Sequence, residues 1–206
     1  MVKSGYIYQV GKPIVVVGSD LDLLDDMSQS GEHVAGYFST RDKEIGFKYL
    51  GDHTRLNDYI LNSRIVVAID DPKFRRTIAD QYGDCVSGYI SPSAYISTLT
   101  KIPQNLLVYP KVYISANVVL GQFVKISVGA QIHHETMIGN FSVIAPQALI
   151  LGHAQIESES FVGSGSRISP NSRIGSSVTI GMGSNVIGDL SDGIKAWGNP
   201  AREVRT

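Results

Sequence analysis

The chain has 206 residues, of which 18 are basic, 19 are acidic and one is a cysteine. This near-neutral balance provides no basic surface for nucleic acid or for an anionic membrane, and one cysteine cannot form a disulfide framework. No apolar run approaches the roughly 18 residues of a membrane span, and the opening MVKSGYIYQVGK lacks the apolar core of a signal peptide. We therefore expect a soluble, cytoplasmic protein with no nucleic-acid or membrane partner, in which Cys85 is a small apolar residue of the interior.

The first 85 residues alternate short apolar runs with segments of helical spacing. Strands are predicted at residues 13–17 (PIVVV), 33–38 and 64–69 (RIVVAI), with a lesser strand at 47–50. Helices are predicted over residues 21–27, from Gly51-Asp52 to about Leu61, and from Asp71-Pro72 to about Tyr82. Strands that alternate with helices indicate a small parallel α/β sheet covered on both faces.

From Ile90 onward the sequence follows a period of six. Every sixth residue from Ile90 to Val186 is Ile, Leu or Val, and the residues four positions later are nearly all small or β-branched. This period fits neither an amphipathic helix nor an alternating strand, and it is typical of a parallel β-helix built from hexapeptide repeats. Three hexads close one coil of about 18 residues, with the aliphatic residue pointing inward and the small residue in the corner. Successive coils then stack about 4.8 Å apart.

The repeat dissolves after Val186. A turn is predicted at residues 189–193, a last strand at 194–197, and a second turn at 198–202 before a short polar tail. Because a solenoid needs its open end covered, we expect this segment and Trp197 to cap the column.

Ionisable residues are sparse on the repeat, so the run His133-His134-Glu135 stands out. The coil length places Gly152 over His134 and His153 over Glu135. Histidine suits proton transfer near neutral pH, a neighbouring carboxylate fixes its tautomer, and an open glycine N–H can stabilise an oxyanion. Two other interpretations stay open. In one, these residues are solvated groups on an outer face; in the other, His133, His134 and His153 form a zinc site, which no further pattern supports.

The uninterrupted repeat leaves no loop to wall a pocket. Any site must therefore lie between the columns of neighbouring subunits, or between the column and the N-terminal domain. Three-fold packing of triangular columns is the natural closed form, which favours a homotrimer.

These motifs resemble the sugar O/N-acyltransferases of the sialic acid O-acetyltransferase family, and above all the bacterial nucleotide-sugar N-acetyltransferases that act on UDP-4-amino sugars or GDP-perosamine. The resemblance runs from PIVVVG at residue 13 to GNPAREV at 198–204, and its most specific part is IHHETMIG at 132–139. It implies a Rossmann-like nucleotide-sugar-binding domain over residues 1–85, a left-handed β-helix acetyltransferase domain over 86–206, and a trimer. It also implies acetyl-CoA as co-substrate without a metal, a 4-amino-4,6-dideoxy sugar as acceptor, and a role in polysaccharide biosynthesis.

The resemblance also implies roles for individual residues. His134 is expected to be the catalytic base and Glu135 the acid that tunes it. The expected acetyl-CoA contacts are Val143, Gly152, Ser164, Gly181 and Met182. The expected substrate contacts are Gly18, Ser19, Asp20, Ser39, Thr40, Gly51 and His133.

The first loop departs from the family pattern. Relatives carry a glycine-rich loop with a histidine after the first strand and paired aspartates after the second, whereas this chain has Gly18-Ser19-Asp20-Leu21-Asp22 and Ser39-Thr40. Acidic residues at this turn argue against a simple phosphate cradle, and the loop lacks the G-x-G-x-x-G of NAD-binding domains. This departure keeps a non-catalytic trimeric scaffold as an alternative. A sugar O-acetyltransferase is a second alternative, because no residue separates amine from hydroxyl acceptors.

Overall fold

A computed structural model describes residues 11–204. Residues 1–10, which bear on the expected lack of a signal peptide, and the last two residues of the polar tail lie outside the described range. Within that range, no helix is both long enough and apolar enough to cross a bilayer.

Residues 11–85 form a three-stranded parallel sheet in the order β2-β1-β3, with helices beside it. Its elements are β1 (Ile14–Val17), α1 (Leu21–Gln29), β2 (Val34–Phe38), a 3₁₀ helix (His53–Asp58), β3 (Arg64–Val67), α2 (Pro72–Tyr82) and a 3₁₀ turn (Gly83–Cys85). Two expected elements differ. Residues 47–50 contribute one parallel bridge, Tyr37 to Tyr49, rather than a strand, and the segment after Gly51-Asp52 is a 3₁₀ helix that ends at Asp58.

The sheet is covered on both faces, as the alternating strands and helices predict. Ile14 and Val16 of β1 belong to the core that contains the apolar side of α1 and the interior of the β-helix. Val15 and Val17 point the other way, into a core that contains Ile78 of α2. All four β1 residues are buried because a parallel strand between two layers has no solvent face.

The rest of the chain folds into short parallel strands that fit a left-handed β-helix. The first coils carry β4 (Tyr89–Ile90), β5 (Tyr95–Ile96), β6 (Leu107–Val108), β7 (Tyr113–Ile114), β8 (Val119–Leu120), β9 (Lys125–Ile126), β10 (Gln131–Ile132) and β11 (Met137–Ile138). The later coils carry β12 (Val143–Ile144), β13 (Leu149–Ile150), β14 (Gln155–Ile156), β15 (Phe161–Val162), β16 (Arg167–Ile168), β17 (Arg173–Ile174), β18 (Thr179–Ile180) and β19 (Asn185–Val186). The chain ends with β20 (Lys195–Gly198) and β21 (Ala201–Glu203).

Three sheets form the faces of the column. We call them the six-stranded face (β5, β7, β10, β13, β16, β19), the four-stranded face (β8, β11, β14, β17) and the eight-stranded face (β4, β6, β9, β12, β15, β18, β20, β21). The register confirms the predicted coil, because Ile132 pairs with Ile150 and Ile150 pairs with Ile168. The second residue of each strand points inward, and from β7 to β19 these aliphatic side chains are buried.

Small polar residues in the corners connect successive coils. The Ser160 hydroxyl, fully buried, donates to the Gly175 carbonyl at 2.7 Å and accepts the Val178 N–H at 3.1 Å. The predicted small residues therefore fit the corners, and several of the hydroxyls there, such as those of Thr136 and Ser142, also donate to backbone carbonyls of the neighbouring coil.

Both ends of the repeat differ from the prediction. Ile102 continues the six-residue period, but it lies in a loop instead of a strand, because Pro103 follows it and has no N–H for the sheet. At the other end, the predicted last strand is β20. Ala201 and Arg202, which were expected in the second turn, instead form β21 with Glu203 and pair with β20 in antiparallel fashion.

Candidate active site

His134 lies in the corner between β10 on the six-stranded face and β11 on the four-stranded face; we call this the His134 corner. The turn places Glu135 in the left-handed region, with φ of 59°, and its N–H donates to the Ala116 carbonyl of the preceding coil at 3.1 Å. The side chains of His134 and Glu135 are 53% and 50% exposed. The corner therefore offers both groups to a partner from outside the column.

The next coil places Gly152 directly against the His134 ring. A Cβ added to Gly152 would lie 2.7 Å from the His134 Cε1 atom and 2.8 Å from Nε2. The His153 N–H donates to the His134 carbonyl at 3.1 Å, which fixes the stacking of the two turns. The predicted placement of Gly152 over His134 is thus confirmed. The His134 ring lies so close to the Gly152 backbone that a side chain at residue 152 would collide with it.

Glu135 orients His134. The His134 Nδ1 atom lies 3.1 Å from Glu135 Oε2, so this contact assigns the proton to Nδ1 and leaves the lone pair on Nε2. The Nε2 atom is therefore the basic nitrogen, on the ring edge that faces Gly152.

His153 approaches the same carboxylate, as its predicted place over Glu135 requires. Its Nε2 atom lies 3.4 Å from Glu135 Oε2, and its ring meets the His134 ring edge to face, with centroids 5.1 Å apart. His133 lies apart from this group. Its ring is 6.2 Å from the ring of Tyr113, which in turn stacks on Tyr95 along the six-stranded face.

The expected acetyl-CoA contacts lie in different parts of the column. Gly152 is in the His134 corner, whereas Ser164 and Met182 lie in the corner between the eight-stranded and six-stranded faces. Met182 is 81% exposed, and Gly181 is covered by Trp197. Val143 is fully buried and its N–H donates to the Ser160 carbonyl, so its expected contact with acetyl-CoA stays a prediction.

The expected substrate contacts of the N-terminal domain meet at the carboxyl edge of its sheet. The Gly18 N–H donates to the Phe38 carbonyl at 2.9 Å, and the Ser39 N–H donates to the Gly51 carbonyl at 3.0 Å. Gly18, at φ of 124°, packs against Ala68 with little room for a side chain. Ser19 and Thr40 adjoin these residues in the chain, so this group lies at the edge where open α/β sheets bind ligands.

Asp20 occupies the start of α1, as the acidic loop suggested. Its Oδ1 accepts the Leu23 N–H at 3.2 Å, and its Oδ2 accepts the Tyr109 hydroxyl at 2.7 Å. Burial and the nearby Asp20 carboxylate raise the pKa of Tyr109 well above its usual value. The positive end of α1 is therefore capped by the protein's own carboxylate, which leaves no simple phosphate cradle there.

A buried lysine was not anticipated from the sequence. Lys125 of β9 has only 3% of its side chain exposed, and its ammonium donates to the Ala68 carbonyl at 2.9 Å and to Asp70 at 2.6 Å. It also lies 3.7 Å from Asp20. The sequence does contain a signal for this burial. Lys125 occupies a strand position that is apolar in the coils on either side, where Leu107 and Val143 stand.

The two groups of predicted residues are separate within one chain. The N-terminal domain packs on the eight-stranded face and its flanking corners, through Lys125, Tyr109 and the contact of Arg75 with the Phe123 carbonyl at 2.8 Å. In a column with three faces, the His134 corner is the one opposite the eight-stranded face. We call the carboxyl edge of the N-terminal sheet, where Gly18, Ser39 and Gly51 meet, the Gly18 edge. His134 and the Gly18 edge therefore lie on opposite sides of the chain.

No protein-family model matches the chain, and no curated protein sequence matches it significantly. Solved structures do. The acetyltransferase domain of PglB from Neisseria gonorrhoeae FA1090 has a TM-score of 0.87 and 25% identity, over 94% of this chain and all of that one. PerB from Caulobacter crescentus, in complex with CoA and GDP-perosamine, has a TM-score of 0.85 and 26% identity, over 95% of this chain and 98% of that one.

A third structure, WeeI from Acinetobacter baumannii AYE, has a TM-score of 0.81 at 20% identity, over 93% of this chain and 99% of that one, and supports the fold alone. The PglB domain is also known in complex with acetyl coenzyme A, and the Caulobacter GDP-perosamine N-acetyltransferase is known as histidine-to-alanine and histidine-to-asparagine mutants. The resemblance to nucleotide-sugar N-acetyltransferases that the sequence showed is therefore confirmed by structure over nearly the whole chain.

Proposed function

We propose that this protein is an acetyl-CoA-dependent N-acetyltransferase whose acceptor is a nucleotide-linked 4-amino-4,6-dideoxy sugar. The observation that carries the proposal is the similarity, over 95% of the chain, to a structure that contains CoA and GDP-perosamine. The His134 corner adds a chemical reason, because it presents an oriented imidazole that lies against the Gly152 backbone. The enzyme is expected to act in the cytoplasm.

In the proposed reaction, the sugar amine attacks the carbonyl carbon of the thioester. The C–N bond forms and the C–S bond breaks, so that CoA leaves as the thiolate. His134 Nε2 takes the proton that the amine loses and can return it to the CoA sulfur, while Glu135 holds the opposite ring nitrogen. General base catalysis of this kind contributes about 10²–10⁴-fold to the rate.

The Gly152 N–H is the proposed donor to the developing oxyanion. Among residues 11–204 it donates to no acceptor, although the neighbouring N–H groups of Leu151 and His153 are both paired along the stack. A free N–H next to the basic nitrogen suits the place where thioester oxygen gains charge. This arrangement needs neither an acyl-enzyme nor a metal.

For the nucleotide, we propose the Rossmann-like domain of residues 1–85, with residues 86–206 as the transferase domain. The Gly18, Ser39 and Gly51 backbone forms the edge on which the nucleotide would rest, with Ser19 and Thr40 beside it. Because Asp20 caps α1, the diphosphate is expected to sit away from that helix end rather than on it.

A homotrimer would complete the site. Since His134 and the Gly18 edge lie on opposite sides of one chain, the sugar held by one subunit can reach only the His134 of a neighbour. Three-fold packing would also bring the corner of Ser164 and Met182 beside the His134 corner of the next column. The scattered acetyl-CoA contacts then form one groove.

The test is thiol release from acetyl-CoA across UDP-, GDP- and dTDP-linked sugars, each offered as a matched 4-amino and 4-hydroxy pair. We expect release with an amino sugar only, and a loss of about 10²–10⁴-fold in kcat in His134→Ala with acetyl-CoA binding nearly intact. His33→Ala is the control, because His33 is an exposed histidine that precedes β2, away from the His134 corner. Release with hydroxy sugars would instead identify an O-acetyltransferase. A folded protein that neither binds nor uses acetyl-CoA would be a scaffold.

A further inference from the structure

Three metal-ligating side chains converge in the His134 corner. His134 Nδ1 and His153 Nε2 lie 3.1 Å and 3.4 Å from the same Glu135 oxygen, and all three ligand atoms lie within 4.8 Å of one another. We propose that these residues bind a borderline transition-metal ion, with Zn²⁺ as the reference case, and that this ion switches off the base. The inhibitory part of the proposal rests on the proposed function, whereas the binding part stands on the geometry alone.

The spacing suits a small tetrahedral ion. Zinc binds imidazole nitrogen and carboxylate oxygen at about 2.0–2.2 Å, which separates neighbouring ligand atoms by roughly 3.3 Å. The two nitrogen–oxygen separations already have this size. The side chains of Glu135 and His153 are each 50% exposed, so the rings can turn the small amount needed to bring both nitrogens onto one ion.

The donor set selects the class of metal. Two imidazoles and one carboxylate, with a fourth position open to solvent, suit Zn²⁺, Co²⁺ or Ni²⁺. They do not suit Mg²⁺ or Ca²⁺, which prefer oxygen ligands. The set differs from the zinc site considered from sequence, because His133 points toward Tyr113 and Glu135 takes its place.

A metal in this position would remove the base by fixing the wrong tautomer. With no metal, the proton lies on Nδ1 toward Glu135, and the Nε2 lone pair is free to accept the amine proton. A metal bound at Nδ1 of the neutral ring leaves the proton on Nε2, which then has no lone pair to accept another. Metal binding and base catalysis by His134 are therefore mutually exclusive, and the ion is an inhibitor rather than a cofactor.

The binding test uses the whole protein without substrates. Zn²⁺ is titrated calorimetrically, and Co²⁺ is followed by its visible absorption, in wild type, His153→Asn and His133→Asn. Asparagine suits His153 because that residue has φ of 61°, which asparagine tolerates. Wild type and His133→Asn are expected to bind one ion per chain. Loss of an outer-shell partner alone weakens metal binding by about 10–100-fold, so loss of this direct ligand should weaken it at least as much.

The inhibition test measures acetylated sugar by chromatography, because the free thiol of CoA would itself bind the metal. Saturating Zn²⁺ should lower the wild-type rate more than about tenfold, with recovery on adding EDTA, and should leave His153→Asn near its metal-free rate. Equal Zn²⁺ binding by wild type and His153→Asn, or no binding by either, would overturn the site. Tight binding that leaves the wild-type rate unchanged would overturn the proposed tautomer block. If no acceptor is acetylated at all, the proposed function fails. The metal titration without substrates still shows whether His134, Glu135 and His153 bind the ion.

Discussion

Replacement of Gly152 by alanine tests whether the position of the His134 ring determines the rate. The added Cβ would lie 2.7 Å from Cε1 and 2.8 Å from Nε2, closer than nonbonded atoms approach, so the ring must move. The backbone can stay, because Gly152 is not in the left-handed region and the obstructing atoms belong to a half-exposed side chain. The substitution therefore displaces the base while leaving the column intact.

The expected effect is large on turnover and small on stability. Misplacement of a reacting group by about 1 Å can cost about 10²-fold in rate, which corresponds to about 2.7 kcal/mol of barrier. Overpacking in a rigid core costs about 1–3 kcal/mol, and the freedom of the His134 ring to swing outward keeps the cost near or below the lower value. For a chain of this size, that is a shift in Tm of no more than about 4 °C.

The assay compares kcat, the acetyl-CoA KM and Tm for Gly152→Ala, His134→Ala and the double variant. Gly188→Ala is the matched control, because a Cβ at Gly188 meets nothing within 4 Å. If Gly152 acts by positioning His134, the double variant should be no slower than His134→Ala alone. A wild-type kcat in Gly152→Ala, or losses that multiply in the double variant, would refute the reasoning.

Two further predictions concern the contact between the domains. Lys125→Met removes the donor to the Ala68 carbonyl and should lower the free energy of unfolding in urea by about 1–3 kcal/mol. The control is Lys73→Met, at an exposed lysine. Equal stability of the two variants would contradict a structural role for Lys125. Tyr109 has a raised pKa in the folded protein, so its contribution to stability is complete below the unfolded value of about 10 and is lost as the pH rises above it. Tyr109→Phe should therefore be less stable than wild type at pH 8, and the gap should narrow above pH 10; a constant gap would contradict the assignment.

The β-helix was predictable because one rule repeats in every coil. A step of six residues determines which side chain points inward, so Ile114, Ile132 and Ile150 are all buried where the period places them. The same rule stacks residues 18 apart, which is why the contact of Gly152 with His134 could be predicted without coordinates. Irregular ends obey no such rule, and the β20–β21 hairpin depends on pairing that no repeat encodes.

The contact between the domains could not be predicted for a related reason. Asp20, Asp70 and Lys125 come from three segments whose separation in sequence follows no period. Each appears as an ordinary surface charge until the sheet edge is packed on the eight-stranded face. Acidic residues in the first loop did indicate that α1 is not a simple phosphate cradle, but not that Asp20 accepts a hydrogen bond from the Tyr109 hydroxyl.

The position of the base follows from the same periodic architecture that made it predictable. A corner of the column has little freedom, since the backbone of each turn is hydrogen-bonded to the coils on both sides, as at Glu135 and His153. The His134 imidazole is thus anchored at its backbone while its ring remains half exposed. The His134 imidazole is therefore held in position but is poorly shielded from water. Exclusion of water strengthens the electrostatic interactions on which acetyl transfer depends. The tight turns around the His134 corner cannot supply that shielding, so the proposed chemistry requires a neighbouring subunit to close over this corner.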